Sequence, residues 1–258
     1  MNNLTIRILS AGVMLPIAVG AILYGGLPYF LLVVLMAGLI LFEWDNICEG
    51  RTPWLLFAVQ VAGLLAAAYA TSEAISPKGE WVAAYVAVLL LVAWRSGASL
   101  VWGLVGLLYA VLPGVGLIYL RHYEEQGGLI VLWMMIIVWS MDTGAYFAGK
   151  KIGGPKLAPR ISPKKTWAGL IGGMVFAGIT GTLAAYVMAF TPLLMMAVAA
   201  CLMALWSQVG DLVESALKRH FNVKDSGAII PGHGGVMDRV DGIIFVAPVV
   251  AAYYYFML

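Results

Sequence analysis

The chain has 258 residues, of which 15 are Lys or Arg and 13 are Asp or Glu, with 62% hydrophobic residues and a mean hydropathy of +0.94. That balance excludes an ordinary soluble globular domain, in which about a quarter of residues are charged, and it leaves no room for a separate soluble domain. The net charge of +2 and pI near 8.5 decide little as totals; in a chain of this class the informative quantity is where the charges fall.

A span needs about 20 mainly apolar residues to cross a hydrocarbon core about 30 Å thick, and backbone facing lipid must bond to itself, which favours helices. The expected fold class is therefore all-α, a polytopic transmembrane helical bundle. Apolar runs, breakers and charges predict nine spans, over residues 10-24, 28-45, 54-72, 81-94, 99-120, 129-148, 168-190, 192-213 and 241-257. Only Arg7 precedes the first apolar run and no small-residue cleavage site follows, so that run is read as a retained span. Cys48 and Cys201 make no disulfide framework. Gly25-Gly26-Leu27-Pro28 and Phe190-Thr191-Pro192 read as tight outer turns, whereas 149-167 and 214-240 are long polar connections.

With nine spans and a cytoplasmic N-terminus, Arg7, Arg51, Arg95, Lys150, Lys151, Lys156, Arg160, Lys164, Lys165, Lys218, Arg219, Lys224 and Arg239 all fall inside, and only Lys78 and Arg121 outside. This is the positive-inside pattern, and a shift of one span would destroy it. Both polar connections then face the cytoplasm. Residues 1-128, an N-terminal transmembrane region of spans one to five, are chemically quiet. Glu43, Asp45 and Glu49 beside Arg51, and Glu124 and Glu125 beside Arg121, read as solvated charges at span ends. Trp54, Trp81, Trp94, Trp102 and Trp133 read as interfacial anchors or packing.

Residues 129-258, spans six to nine with their cytoplasmic loops, carry the chemistry. The stretch Ser207 to Arg219 starts inside an apolar helix and runs out of it, placing Asp211, Ser215 and Lys218 along one face. The plain alternative is an internal Asp211–Lys218 ion pair, but acids buried at span ends usually face a cavity, an ion or a pathway. Asp225, Asp238 and Asp241 follow, around a loop containing His233, Gly234 and Gly235. The glycines let backbone N–H groups approach an anion closely. With few Cys or His nearby, these hard oxygen donors point to Mg²⁺ rather than zinc. N-capping is the bland reading of Asp238 or Asp241 singly. Ser162-Pro163-Lys164-Lys165-Thr166 reads as an anion site at the start of a helix, or equally as a positive-inside anchor.

The run Ser215-x-x-Lys218-Arg219-x(4)-Lys224-Asp225-x-Gly227-x(3)-Pro231-x-His233-Gly234-Gly235-x-Met237-Asp238-Arg239-x-Asp241 resembles the signature of phosphatidate cytidylyltransferases, or CDP-diacylglycerol synthases. The likeness extends to Asp142-Thr143-Gly144-Ala145-Tyr146-Phe147-x-Gly149 and Ile161 to Gly169, and weakly to Phe42-Glu43-Trp44 and the Arg7 segment. It implies an enzyme of phospholipid biosynthesis that joins CTP to phosphatidate and releases pyrophosphate, depends on Mg²⁺ with a second, monovalent cation such as K⁺, and forms a homodimer in a cell membrane, the inner one in a bacterium. No nucleic-acid partner is expected. On this reading Asp211, Asp238 and Asp241 are metal ligands or their immediate supports, with Asp225 a further candidate. Lys218, Arg219, Lys224 and Arg239 clamp phosphates, and Lys164 and Lys165 with Ser162 and Thr166 take the triphosphate or the lipid phosphate. Ser215 lines the groove, while His233, Gly234 and Gly235 shape the loop. Two rivals make different predictions: a CTP-dependent polyprenol kinase would release CDP, and a cation transporter would spread its acids through the membrane depth.

Overall fold

The computed structural model describes residues 3-76, 78-123, 126-232 and 234-257, and their side chains except at 3-8, 11 and 123. His233, Glu124, Glu125 and the Arg7 side chain lie outside the described residues. Nine helices appear among the described residues: α1 (Asn3–Tyr24), α2 (Gly26–Glu49), α3 (Trp54–Ser72), α4 (Gly79–Ser96), α5 (Leu100–Tyr123), α6 (Gly127–Ile152), α7 (Trp167–Val187), α8 (Leu193–His220) and α9 (Met237–Met257). Eight of them, α2 to α9, are long and apolar enough to cross a membrane, and α1 adds the shorter apolar stretch Gly12–Tyr24. The chain is an integral, multi-pass membrane protein. Large apolar side chains such as Leu35, Leu91, Val101, Ile171, Ile179 and Leu194 stand exposed around the bundle, as a lipid solvent allows and water does not.

Several helices outrun the apolar segments that predict them. α8 has 28 residues, about 42 Å at about 1.5 Å per residue, so it exceeds a hydrocarbon core of about 30 Å by roughly two turns. Hydropathy ends at Val213, yet Glu214, Ala216, Leu217, Lys218 and Arg219 are good helix formers, and the basic residues suit the negative end of the helix dipole. α9 likewise begins at Met237, which brings Asp238 into its first turn.

The connection 149-167 holds an element that hydropathy does not reveal. β1 (Lys156–Ala158) pairs antiparallel with β2 (Ser162–Thr166), with Lys156 opposite Thr166 and Ala158 opposite Ser162. Thr166 then caps α7, its Oγ1 accepting from Gly169 N at 3.0 Å. α6 and α7 pack closely because Gly144, Gly172 and Gly173 leave no side chains between the two backbones.

Packing joins the two halves of the chain. One core contains Tyr29, Val33 and Ile118 from the first half with Met134, Ile137, Ala204 and Ala247 from the second. The alternating helices also sort the polar groups by end. At one end, Arg121 donates from Nε to the Ile22 carbonyl and from Nη2 to the Leu23 carbonyl, closing the C-terminus of α1. At the other, the ends of α2 and α8, the start of α9 and the hairpin come together.

Candidate active site

Lys218 and Lys165 organise two ion clusters at that end. Lys218, on the protruding part of α8, places Nζ 2.8 Å from Glu214 Oε1 and 2.6 Å from Asp238 Oδ1. Glu214 is an i,i+4 neighbour whose side chain is only 1% exposed. Asp238 Oδ2 accepts from Ser226 N at 3.0 Å, Ser226 Oγ at 2.9 Å and Gly235 N at 3.0 Å. Asp238 thus ties α8 to the loop that enters α9. It reaches back from the first turn of α9 to amides that precede the helix, at the positive end of the helix dipole, and also anchors a lysine.

In the second cluster, Lys165 reaches from β2 to form an ion pair with Asp211 Oδ2. Ser215 Oγ donates to Asp211 Oδ1 at 3.3 Å, and Gln208 Nε2 lies 3.4 Å from Oδ2. Asp241, whose Oδ1 accepts from Gly242 N at 2.8 Å, feels the charges of Asp211, Asp142 and Lys165. Asp142, near the end of α6, feels Asp211, Lys165 and Arg239. The alternative of a direct Asp211–Lys218 pair is not what forms: Asp211 pairs with Lys165, and Lys218 with Glu214 and Asp238.

The remaining predicted residues surround these clusters. Arg219, exposed, donates to the Val223 carbonyl at 3.2 Å and approaches the Ile161 carbonyl at 3.4 Å, tying α8 to the hairpin. Lys164, Lys224 and Asp225 are exposed, Ser162 is half-buried in β2, and Gly234 and Gly235 form the turn before Asp238. The start of α7 is already partly closed, because Thr166 Oγ1 takes Gly169 N and the Pro155 carbonyl takes Trp167 N at 3.1 Å. Among the described residues, no three His, Cys, Asp or Glu side chains converge closely enough to hold a metal ion.

Two acids of the quiet half are buried, and one of them, Glu43, enters this region. Glu43 and Asp45, read from sequence as solvated anchors, are each only 1% exposed. Glu43 accepts from Val236 N and Met237 N at 2.8 Å and lies 3.0 Å from Ser226 Oγ, whose one proton it shares with Asp238. The available signal is phase: Ile40, Glu43 and Ile47 follow helical spacing, so the acid lies on a stripe that is otherwise core. Asp45 meets Gln60 Nε2 at 3.3 Å, between α2 and α3. Tyr109 of α5 stacks on Trp44 at 4.8 Å and lies within the field of Glu214, Asp241, Asp211 and Asp238.

Gly210 sets how closely α8 and α9 approach. A β-carbon there would stand 2.6 Å from the Asp241 carbonyl oxygen and 2.9 Å from the Phe245 ring. Replacing Gly210 by alanine is expected to part the two helices, cost about 1–3 kcal/mol and reduce turnover. Thermal unfolding in detergent, with activity measured below the transition, checks both effects.

The fold and these clusters define a class: a membrane-embedded protein with alternating cations and carboxylates gathered at one end of an apolar bundle, suited to gathering anions beside lipid. The sequence matches the cytidylyltransferase family over residues 5–257, and the chain belongs to that family. It is 38% identical to the phosphatidate cytidylyltransferase of Brucella suis biovar 1 (strain 1330), over 96% of this chain and 92% of that protein. It is 33% identical to the phosphatidate cytidylyltransferase of Rickettsia felis, over 96% and 91% of the two chains. The enzyme of the same name from Bacillus subtilis (strain 168) is 43% identical over 55% of this chain and 51% of its own length.

Proposed function

We propose that this chain acts as a phosphatidate cytidylyltransferase, converting CTP and phosphatidate to CDP-diacylglycerol and pyrophosphate in phospholipid biosynthesis. The observation that carries the reading is the meeting of Lys165, Asp211, Lys218 and Asp238 at one end of a lipid-facing bundle, in a chain with full-length relatives of that name. In this reaction a phosphate oxygen of the lipid attacks the α-phosphorus of CTP. The bond from that phosphorus to the bridging oxygen breaks, and its electron pair leaves with pyrophosphate. A phosphomonoester has a second pKa of about 6, so the nucleophile is already anionic at neutral pH and no strong general base is required.

The difficulty is the approach of two anions, and the remedy is positioned cations. Lys165 faces one phosphate group, while Ser162 and Lys164, alternating with it along β2, point to the other side of the strand. Arg219, Lys224 and Arg239 surround the other side, and Lys218 holds Asp238 and Glu214 in place. Asp211, Asp241, Asp142 and Asp238 offer the carboxylate oxygens that Mg²⁺ takes, and because no three of them converge among the described residues they would have to close on the ion. Lys165 supplies the compensating charge beside Asp211, and Lys218 beside Asp238, so binding a cation there requires an ammonium to yield. Bound Mg²⁺ would neutralise the charge that develops on the leaving pyrophosphate. A second, monovalent cation, K⁺, belongs to the same proposal, as do homodimeric assembly and an inner-membrane location with the N-terminus and site on the cytoplasmic side. The gathering of basic residues at the site end supports that orientation. Lipid tails then stay between helices while the head group reaches the site.

Purified protein in detergent micelles tests the proposal. Pyrophosphate release that needs CTP, phosphatidate and Mg²⁺ together, and stops with EDTA, is the expected result. Folded protein that releases no pyrophosphate across several phosphatidates, or that releases CDP with a lipid alcohol, would overturn it.

A further inference from the structure

Glu43 stands apart from the groups that would meet substrate. It comes from α2, is almost fully buried, and spends both carboxylate oxygens on the segment that delivers Asp238. Oε1 takes the Val236 amide, and Oε2 takes the Met237 amide and lies 3.0 Å from Ser226 Oγ. These amides belong to the entry and first residue of α9, whose opening N–H groups have no partner within the helix. α9 is therefore capped from another helix. The Ser226 hydroxyl lies 3.0 Å from Glu43 and 2.9 Å from Asp238 Oδ2, so one proton faces two carboxylates across a single oxygen. That bridge couples a buried acid of the first half to Asp238 and, through it, to Lys218. An acid buried in a membrane protein is costly unless it is satisfied. Here two backbone amides and a hydroxyl proton shared with Asp238 satisfy it, and all of them fix the loop between α8 and α9.

We infer that Glu43 is a positioning residue for the reaction: it holds the start of α9 and Ser226 so that Asp238 and Lys218 keep the spacing that turnover needs. The inference rests on the cytidylyltransferase reading, because its kinetic test uses that reaction. Glu43→Gln keeps the size and one acceptor but leaves one of the two amides facing an N–H₂ group. The expected result is faster hydrogen exchange at Val236 and Met237, a kcat lower by about tenfold or more, a higher Mg²⁺ concentration for half-activity, and a KM for CTP within about twofold of wild type. Faster exchange with kcat and Mg²⁺ dependence within about twofold of wild type would overturn the inference, since the cap would then be structural alone. Ser226→Ala provides the second route if Glu43→Gln does not accumulate as folded protein. It removes the bridge and leaves the backbone cap, and it too is expected to lower kcat and raise the Mg²⁺ requirement; unchanged values would sink the inference. An inactive wild type would instead count against the enzymatic reading, with exchange at the two amides still reporting the cap.

Discussion

Replacing Lys218 by methionine is expected to abolish measurable pyrophosphate release and to cost about 3–5 kcal/mol of stability, the usual penalty for breaking a buried ion pair from one side. Lys218 compensates two acids at once, 2.8 Å from Glu214 and 2.6 Å from Asp238. Glu214 Oε2 is buried with no hydrogen-bond partner among the described residues, so methionine would strand a carboxylate with nowhere to reach water. Adding Glu214→Gln to Lys218→Met removes that stranded charge and is expected to restore most of the stability without restoring turnover, because Asp238 still lacks its cation. Lys218→Arg should keep the charge yet lose most of the activity, since a planar guanidinium does not fit a position built around a compact ammonium. Thermal unfolding in micelles and pyrophosphate release, measured on the three variants together, separate folding from function. A Lys218→Met protein that unfolds at the wild-type temperature and turns over within about tenfold of wild type would show that this cluster is neither stabilising nor catalytic.

Much of this arrangement is legible in the sequence because a lipid solvent makes composition and spacing unusually informative. The helices α2 to α9 each coincide with a predicted apolar run, and of the signature residues Ser215, Lys218, Asp238 and Asp241 take part in the two clusters. Three features escape hydropathy, each for a physical reason. The β1–β2 hairpin is short and polar, and its ladder follows from local pairing that no apolar periodicity marks. The last two turns of α8 are helical by propensity and by their dipole-matched cations, although they are not apolar. Glu43 is hidden in another way. A charge near a predicted span end is ordinarily solvated, and its burial depends on the loop before α9 folding over it nearly 200 positions later, at Val236 and Met237, separated by 193 and 194 residues. A tertiary partner of that kind leaves no local trace except the helical phase that Glu43 shares with Ile40 and Ile47. The partner choice of the lysines is equally non-local: spacing puts Asp211 and Lys218 on one face, but only the docking of β2 decides that Asp211 takes Lys165.

Lys165→Ala and Asp211→Asn should both lower turnover while moving divalent-cation affinity in opposite directions. Lys165 pairs with Asp211, and its charge also reaches Asp142 and Asp241. Its ammonium therefore competes for the carboxylates that a metal would use. Taking it away leaves those acids mutually repelling and undercompensated, so Mg²⁺ or Mn²⁺ should bind about three- to tenfold more tightly in the absence of nucleotide, as the loss of about 1 kcal/mol of opposing charge implies. Turnover should nevertheless fall by roughly 10²-fold, because the cation meant for phosphate has gone. Asp211→Asn removes a carboxylate and leaves Lys165 unopposed, which should weaken cation binding by about tenfold or more and cut turnover by about 10²–10³-fold. If the two side chains work as one unit, the double variant should be scarcely slower than Asp211→Asn alone. Mn²⁺ binding followed by electron paramagnetic resonance, without nucleotide, reports the affinities independently of activity. Weaker Mn²⁺ binding in Lys165→Ala would refute the competition between ammonium and metal at Asp211, and would leave Lys165 as a structural tie between the hairpin and α8.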